Sequence, residues 1–289
     1  MNGLFPRRII TCLRLVFATV LLALVACVTN PYTERSQLLL MPESQDIKLG
    51  AQAYDQVLHD PKVKISHDPR EVEPVKRVAA RIIEAAKESK YADRARQFDW
   101  EVSVIKDDKT MNAFALPGGK IAVYTGIFPV AKNEAGLAAI MGHEVTHALA
   151  RHGAERMSQG MLAQFGLEAA SIALGASGTN PLLGQATMAA LGLGANVGVL
   201  LPFSRAHESE ADHIGLLLAA QAGYDPHEAV HVWERMEQLS KGQPPEFLST
   251  HPGHGTRIKQ LEDWMPDALS YYNPQPSFHA ADLPSLASR

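Results

Sequence analysis

The chain has 289 residues, with 27 basic and 31 acidic side chains and a formal net charge of −4. That length suits one catalytic domain plus a targeting segment, and the acidic balance gives no footing for nucleic-acid binding. The two cysteines, Cys12 and Cys27, both lie near the amino terminus, so no disulfide framework is expected.

The amino terminus reads as a secretory signal. Arg7, Arg8 and Arg14 form a positive region, and Leu15–Ala26 is an apolar run without a charge, too short for a comfortable membrane span. The run ends Leu24-Val25-Ala26-Cys27, which resembles a bacterial lipobox. That resemblance implies cleavage before Cys27 and a lipid on its sulfur. Val28 follows, not the aspartate associated with inner-membrane retention. The expected address is therefore the periplasmic face of the bacterial outer membrane, with membrane contact through the anchor at Cys27. The expected organisation is a signal peptide over 1–26, a lipidated tether over 27–43, a catalytic domain over 44–270 and a mobile tail over 271–289.

Asn30–Met41 reads as an extended part of that tether. A helix is expected from near Ser44 to Leu58. A second runs from about Pro69 to Ser89, with Val72, Val75, Val78, Ile82 and Ile83 on one face. Phe98–Ile105 alternates apolar and polar residues and predicts a strand, followed by a turn at Lys106–Lys109. Asn112–Ala115 and Lys120–Tyr124 predict two more strands around Leu116-Pro117-Gly118-Gly119. Helix resumes from about Ile127 to Gln159. Between Arg156 and Arg205 the only charged residue is Glu168. Residues 160–203 are rich in glycine and small side chains, so an apolar flap or buried helix pair over the active site is favoured over a membrane-inserting hairpin. Helices then run from Ser204 towards Gly223, from Pro226 to about Leu239, and from about Thr256 to Trp264. The pattern is that of an α+β domain, mostly helical with a small β-sheet.

His143-Glu144-Val145-Thr146-His147 carries the chemistry. On a helix, residues four apart lie one turn apart on one face. Both imidazoles can therefore hold one Zn²⁺, and Glu144 lies beside them to take a proton from water held by the ion. Proline is absent from the flanking Asn133–Gly142 and Ala148–His152, as a helix there requires. Zinc needs a third protein ligand. If the helix beginning near Arg205 packs against the HExxH helix, Glu208 and Asp212 are candidates, since they share a face. Glu210 lies about 160° from Asp212 around the helix and points elsewhere; it is expected to play no part in metal binding. His152, His207 and His213 are read as surface groups or as groups that touch a ligand from outside, not as ligands.

HEVTH, then ESEAD starting 61 residues after His147 (208 − 147), then His251-Pro252 and Arg257, together resemble peptidase family M48. That is the family of the prenyl-protein endopeptidases, the mitochondrial Oma-type proteases and the bacterial periplasmic BepA/LoiP-type proteases. Asn112–Gly119 also matches, and the resemblance covers roughly residues 30–266. It implies a zincin-type, gluzincin-like domain with one Zn²⁺ per chain, held by His143, His147 and Glu208. It implies that Asp212 orients a ligand histidine and that Arg257 holds Asp212 or the His251 loop. His251 is implied either to stabilise the oxyanion or to swing in as an extra zinc ligand that blocks the site. Asn112, Ala113, Phe114 and Ala115 are read as an edge strand onto which an extended substrate adds. The expected function is a minimal, lipid-anchored zinc endopeptidase acting on misfolded or unassembled periplasmic and outer-membrane proteins, with outer-membrane assembly machinery as a partner. The competing expectation is a chaperone-like assembly factor with a largely closed zinc site; the intact Glu144 favours catalysis.

Overall fold

The computed structural model describes residues 27–173, 204–239, 246–251, 255–273 and 280–285. The segment expected as an extended tether is a hairpin. Strands β1 (Cys27–Thr29) and β2 (Ser36–Leu38) pair antiparallel, Cys27 opposite Leu38. Asn30 closes the turn: its side chain accepts from the Tyr32 amide at 2.9 Å, its own amide donates to Arg35 O at 2.9 Å, and Glu34 takes φ 57°. The hairpin lies on the protein body. Gln37 donates to Ala150 O at 2.8 Å, and the Leu40 amide donates to Ser158 Oγ at 3.0 Å.

Helices α1 (Glu43–Leu58) and α2 (Pro69–Glu88) follow closely the predicted spans. Asp68 caps α2 by accepting from the Arg70 amide, and Pro69 fills the first helical position, where no amide is needed. Its buried face carries Val75, Val78, Ile82 and Ile83. After the short α3 (Ala92–Gln97) come β3 (Glu101–Ile105), β4 (Ala113–Leu116) and β5 (Lys120–Tyr124). The sheet order is β3-β5-β4, with β3 parallel and β4 antiparallel to β5. The β4–β5 turn runs through Gly118 and Gly119 at φ 86° and 87°, a region that glycine enters without a Cβ clash.

The helical run expected over 127–159 is interrupted twice. A 3₁₀ turn (Thr125–Ile127) and α4 (Phe128–Ala131) end at Lys132, φ 65°; α5 (Glu134–Leu149) ends before Arg151, φ 56°; and α6 (His152–Ala173) sets off again. Asn133 starts α5 by accepting from the Gly136 amide at 2.8 Å. Next come α7 (Arg205–Gln221), capped by Ser204, then α8 (His227–Leu239), α9 (Glu246–Thr250) and α10 (Arg257–Tyr271). Helix α10 continues past the expected stop at Trp264 and carries Pro266 inside it. Part of the tail expected to be mobile is docked: Leu283 is buried and its amide donates to Lys132 O at 2.8 Å, while Ala281 O accepts from the Glu134 amide at 2.9 Å.

Helix α5 is the axis of the molecule. It is apolar almost all round and nearly every residue is buried, as expected of a helix enclosed by others. It packs against α7, β4, α2 and α8, and α10 covers α7. Where α5 crosses α7, Gly142 meets Gly215. A Cβ on Gly142 would lie 2.6 Å from Gly215 O, and one on Gly215 would lie 2.6 Å from the His143 amide. Among the described residues no helix is long and apolar enough to cross a membrane. Most of the 160–203 segment read as a flap lies outside the described residues.

Candidate active site

The crossing of α5 and α7 brings four donors together. His143, His147 and Glu208 converge with His251, which follows α9, and their ligand atoms all lie within 4.8 Å of one another. His143 Nε2 is 3.1 Å from His147 Nε2 and 3.2 Å from His251 Nδ1. Glu208 oxygens stand 3.5 Å from His143 Nε2, 3.5 Å from His147 Nε2 and 3.0 Å from His251 Nδ1. Ligands placed tetrahedrally at zinc-like bond lengths are separated by roughly 3.3–3.6 Å. The donor set therefore fits a small metal ion, and its atoms are otherwise aimed at one another. Glu144 stands beside the cluster. Its Oε1 is buried with no hydrogen-bond partner, 3.4 Å from His251 Nε2.

Two outer arrangements hold the histidines. His143 Nδ1 meets Asp212 Oδ1 at 2.9 Å. Arg257 donates through Nε to Asp212 Oδ2 at 2.6 Å and through Nη1 to Glu208 Oε2 at 2.9 Å, and its guanidinium lies 3.4 Å from the centre of the Trp233 ring. Arg257 is thus shared between Asp212 and Glu208. His147 Nδ1 instead meets His152 Nδ1 at 3.0 Å, and His152 Nε2 meets Glu210 Oε2 at 3.1 Å. Arg35 from the hairpin donates to Glu210 Oε2 and Glu155 Oε1, each at 2.7 Å. His207 pairs with Glu155 at 3.0 Å and stacks on the His152 ring at 4.5 Å.

Glu210 is thus no spectator, contrary to the sequence expectation. It does point away from Asp212, but onto His152, and it is buried. His152 and His207 are buried, not on the surface. Arg35, Glu155 and Glu210 are site-supporting residues that the sequence reading missed, whereas His152 takes one of the two places that reading left open, contact with a ligand from outside. Glu155 and Glu210 lie beside or within the two motifs; Arg35 lies far from both and carries no such signal.

The electrostatics suit metal binding. Burial, with the neighbouring imidazoles, pushes His147 well down and keeps it neutral, the form that ligates. Burial alone would raise Glu208, but His251, His143 and Arg257 draw it down to about 2, so it stays ionised. Burial raises Glu144, against the pull of His251 and His143, and so favours its taking up a proton. Burial lowers His152 to about 4, partly opposed by its bond to Glu210. The proposed substrate strand, β4, is one of the two outer strands of the sheet and packs on α5, with Asn112 just before it.

Residues 71–265 match the model of peptidase family M48. The chain is 44% identical over 171 residues to mitochondrial metalloendopeptidase OMA1 of Schizosaccharomyces pombe, covering 58% of this chain and 48% of that protein. It is 31% identical over 259 residues to the OMA1 of Saccharomyces cerevisiae, covering 84% of this chain and 70% of that protein. It is 30% identical over 165 residues to the beta-barrel assembly-enhancing protease of Yersinia pestis, covering 53% and 32%. The chain thus spans about half the length of the S. pombe relative.

These relatives correct the expected address. Six relatives with mitochondrial names match this chain, over as much as 84% of it, so placement on the periplasmic face of the bacterial outer membrane does not stand. The physical reason is that an arginine-bearing, acid-free start is equally a feature of mitochondrial transit sequences, and Leu-Val-Ala-Cys is only four residues long. In the structure Cys27 opens β1, opposite Leu38. The HExxH helix, the acid supplied by α7 and the matched span agree: the chain belongs to peptidase family M48.

Proposed function

We propose that the protein is a zinc-dependent endopeptidase that cuts unfolded or misassembled proteins, held closed at rest by His251. The observation that carries this reading is Glu144, a buried carboxylate whose Oε1 makes no hydrogen bond and stands 3.4 Å from His251 Nε2, beside a two-histidine, one-glutamate donor set. That donor set at tetrahedral spacing is the pattern of a catalytic zinc site.

His143, His147 and Glu208 would hold a zinc ion, whose chemistry there would be to acidify a water towards a pKa of about 7 and to polarise the substrate carbonyl. Glu144 accepts the proton of the attacking water and returns it to the leaving amine. His143 and His147 are oriented because their second ring nitrogens are engaged at Asp212 and His152. His251 Nδ1 lies 3.2 Å from His143 Nε2 and 3.0 Å from Glu208 Oε1, so it would take the position that an attacking water needs. All four donor side chains and Glu144 are buried, so the conformation is closed. Substrate entry requires His251 to withdraw.

Substrate would add to β4. The Tyr124 amide donates to Asn112 O at 3.1 Å, and Phe114 lies opposite Ala122. By antiparallel alternation Phe114 bonds inward to β5, and the backbone groups of Ala113 and Ala115 face away from it. An extended chain bonding there is read through its backbone, which suits substrates that share unfolding and not sequence.

The test is Glu144→Gln assayed on a permanently unfolded polypeptide, with bound zinc measured in parallel. One zinc per chain is expected in both proteins, with cleavage lower by about 10²–10⁴ in the variant. Undiminished cleavage by the variant would overturn the reading.

A further inference from the structure

The His147 imidazole is held by a chain of groups that metal chemistry itself does not use. His147 offers Nε2 to the donor cluster, so its proton sits on Nδ1. That nitrogen lies 3.0 Å from His152 Nδ1, which must then accept. Neutral His152 with Nδ1 accepting carries its proton on Nε2, and Nε2 lies 3.1 Å from Glu210 Oε2. Donor direction is therefore determined at each link, from His147 to His152 to Glu210. The far end is tied down as well. Arg35 Nη2 donates to Glu210 Oε2 at 2.7 Å, and the Thr33 hydroxyl donates to Glu210 Oε1. The second terminal nitrogen of Arg35 is fixed on Glu155 at 2.7 Å, and His207 stacks on His152 from the side.

We infer that His152 and Glu210 are positioning residues for the metal ligand His147, and that the β1–β2 hairpin anchors them through Thr33 and Arg35. The inference rests on the metal reading above. Its physical content is tautomeric. With Glu210 in place His152 must protonate Nε2, which leaves Nδ1 free to accept. Without Glu210, His152 can protonate Nδ1, and two N–H groups then face each other across 3.0 Å. The His147 ring turns away, and its Nε2 leaves the corner it must occupy.

The experiment measures Zn²⁺ affinity by competition with a chromogenic chelator, together with the visible spectrum of the Co²⁺-substituted protein. It compares the full chain with Glu210→Ala, His152→Phe and His152→Gln, and circular dichroism of the metal-free proteins records folding. Phenylalanine keeps a stacked ring but no nitrogen. Glutamine can accept with its oxygen and donate with its nitrogen, as the imidazole does. Glu210→Ala and His152→Phe should weaken zinc binding by about 10–100-fold and alter the Co²⁺ spectrum, whereas His152→Gln should recover most of both. Affinities within twofold of the parent in Glu210→Ala and His152→Phe, or equal losses in His152→Phe and His152→Gln, would overturn the inference. If Glu210→Ala does not fold, the two His152 variants decide by the same comparison. A parent protein that takes up no zinc defeats the metal reading itself; a parent that binds zinc while His152→Phe binds equally well defeats only the positioning role.

Discussion

His143 and His147 leave α5 one turn apart, yet they are held by opposite means. His143 meets its carboxylate directly, and that carboxylate is clamped by Arg257, itself buried on Trp233. Every member of this flank comes from a helix of the core. His147 meets its carboxylate only through a second imidazole, and the carboxylate is secured by a hairpin arginine whose side chain is 25% exposed. One half of the donor set is therefore fixed by core packing, the other by an element laid onto the body from outside. Disturbances should separate along that line.

The largest effect is expected on the core flank. Asp212→Ala removes the acceptor of His143 and strips Arg257 of its main counter-charge. Zinc affinity should fall at least as far as on any His147-flank change, by about 10–100-fold, and stability by about 3–5 kcal/mol, because a buried guanidinium is left half-paired. Denaturant melts against Arg35→Ala test the contrast. Arg35, whose side chain is 25% exposed, should cost less, and equal losses would erase the distinction between the flanks.

His251 belongs to neither flank, and its removal sharpens the comparison by leaving both intact. In His251→Ala the fourth corner is vacated while His143 and His147 keep their partners. Basal cleavage of a quenched unfolded substrate should rise on the order of tenfold if about a tenth of resting molecules are open. A loss of a hundredfold with unchanged metal coordination would assign His251 to the oxyanion alone.

The smallest effect is a slope. In metal-free protein, burial holds His152 down to about 4. For Glu210, the bonds from His152 and Arg35 overcome burial and bring it to about 2. Both folded-state values lie below those of the unfolded chain, so the unfolded state takes up protons first as pH falls. Stability should therefore decline from about pH 6.5 down to about 4 through His152, and from about 4.5 down to about 2 through Glu210. Glu210→Gln should flatten the lower part of that decline in urea melts at stepped pH; an unchanged profile would mean that Glu210 is not the group that titrates there.

The same division explains what could be read from the sequence. HExxH and ExxxD are local: helical spacing alone puts His143 with His147 and Glu208 with Asp212 on shared faces. Asp68 before Pro69, and Gly118-Gly119 between strands, likewise announce a helix start and a turn. The His147 flank is not local. Five residues past His147, a continuous helix would aim His152 about 140° away. The break at Arg151, φ 56°, turns it back, and nothing in that arginine's identity announces a left-handed conformation. Arg35 meets Glu210 across 175 positions of chain, in a segment whose polar residues suggested a tether. The compartment was the least legible feature, because the arginines and apolar run of the first 26 residues are common to more than one kind of targeting segment.

Gly142 and Gly215 touch neither ion nor substrate, yet they determine how far Glu208 stands from the two histidines. A ligand set tolerates displacements of only about 0.2 Å before it ceases to suit its ion, whereas a methyl group at this crossing would meet backbone at 2.6 Å from either side. Backbone there cannot give way as a side-chain tip can. The tightest tolerance in the site is thus set by two hydrogen atoms, and they serve as the gauge that holds the two motifs at the right separation.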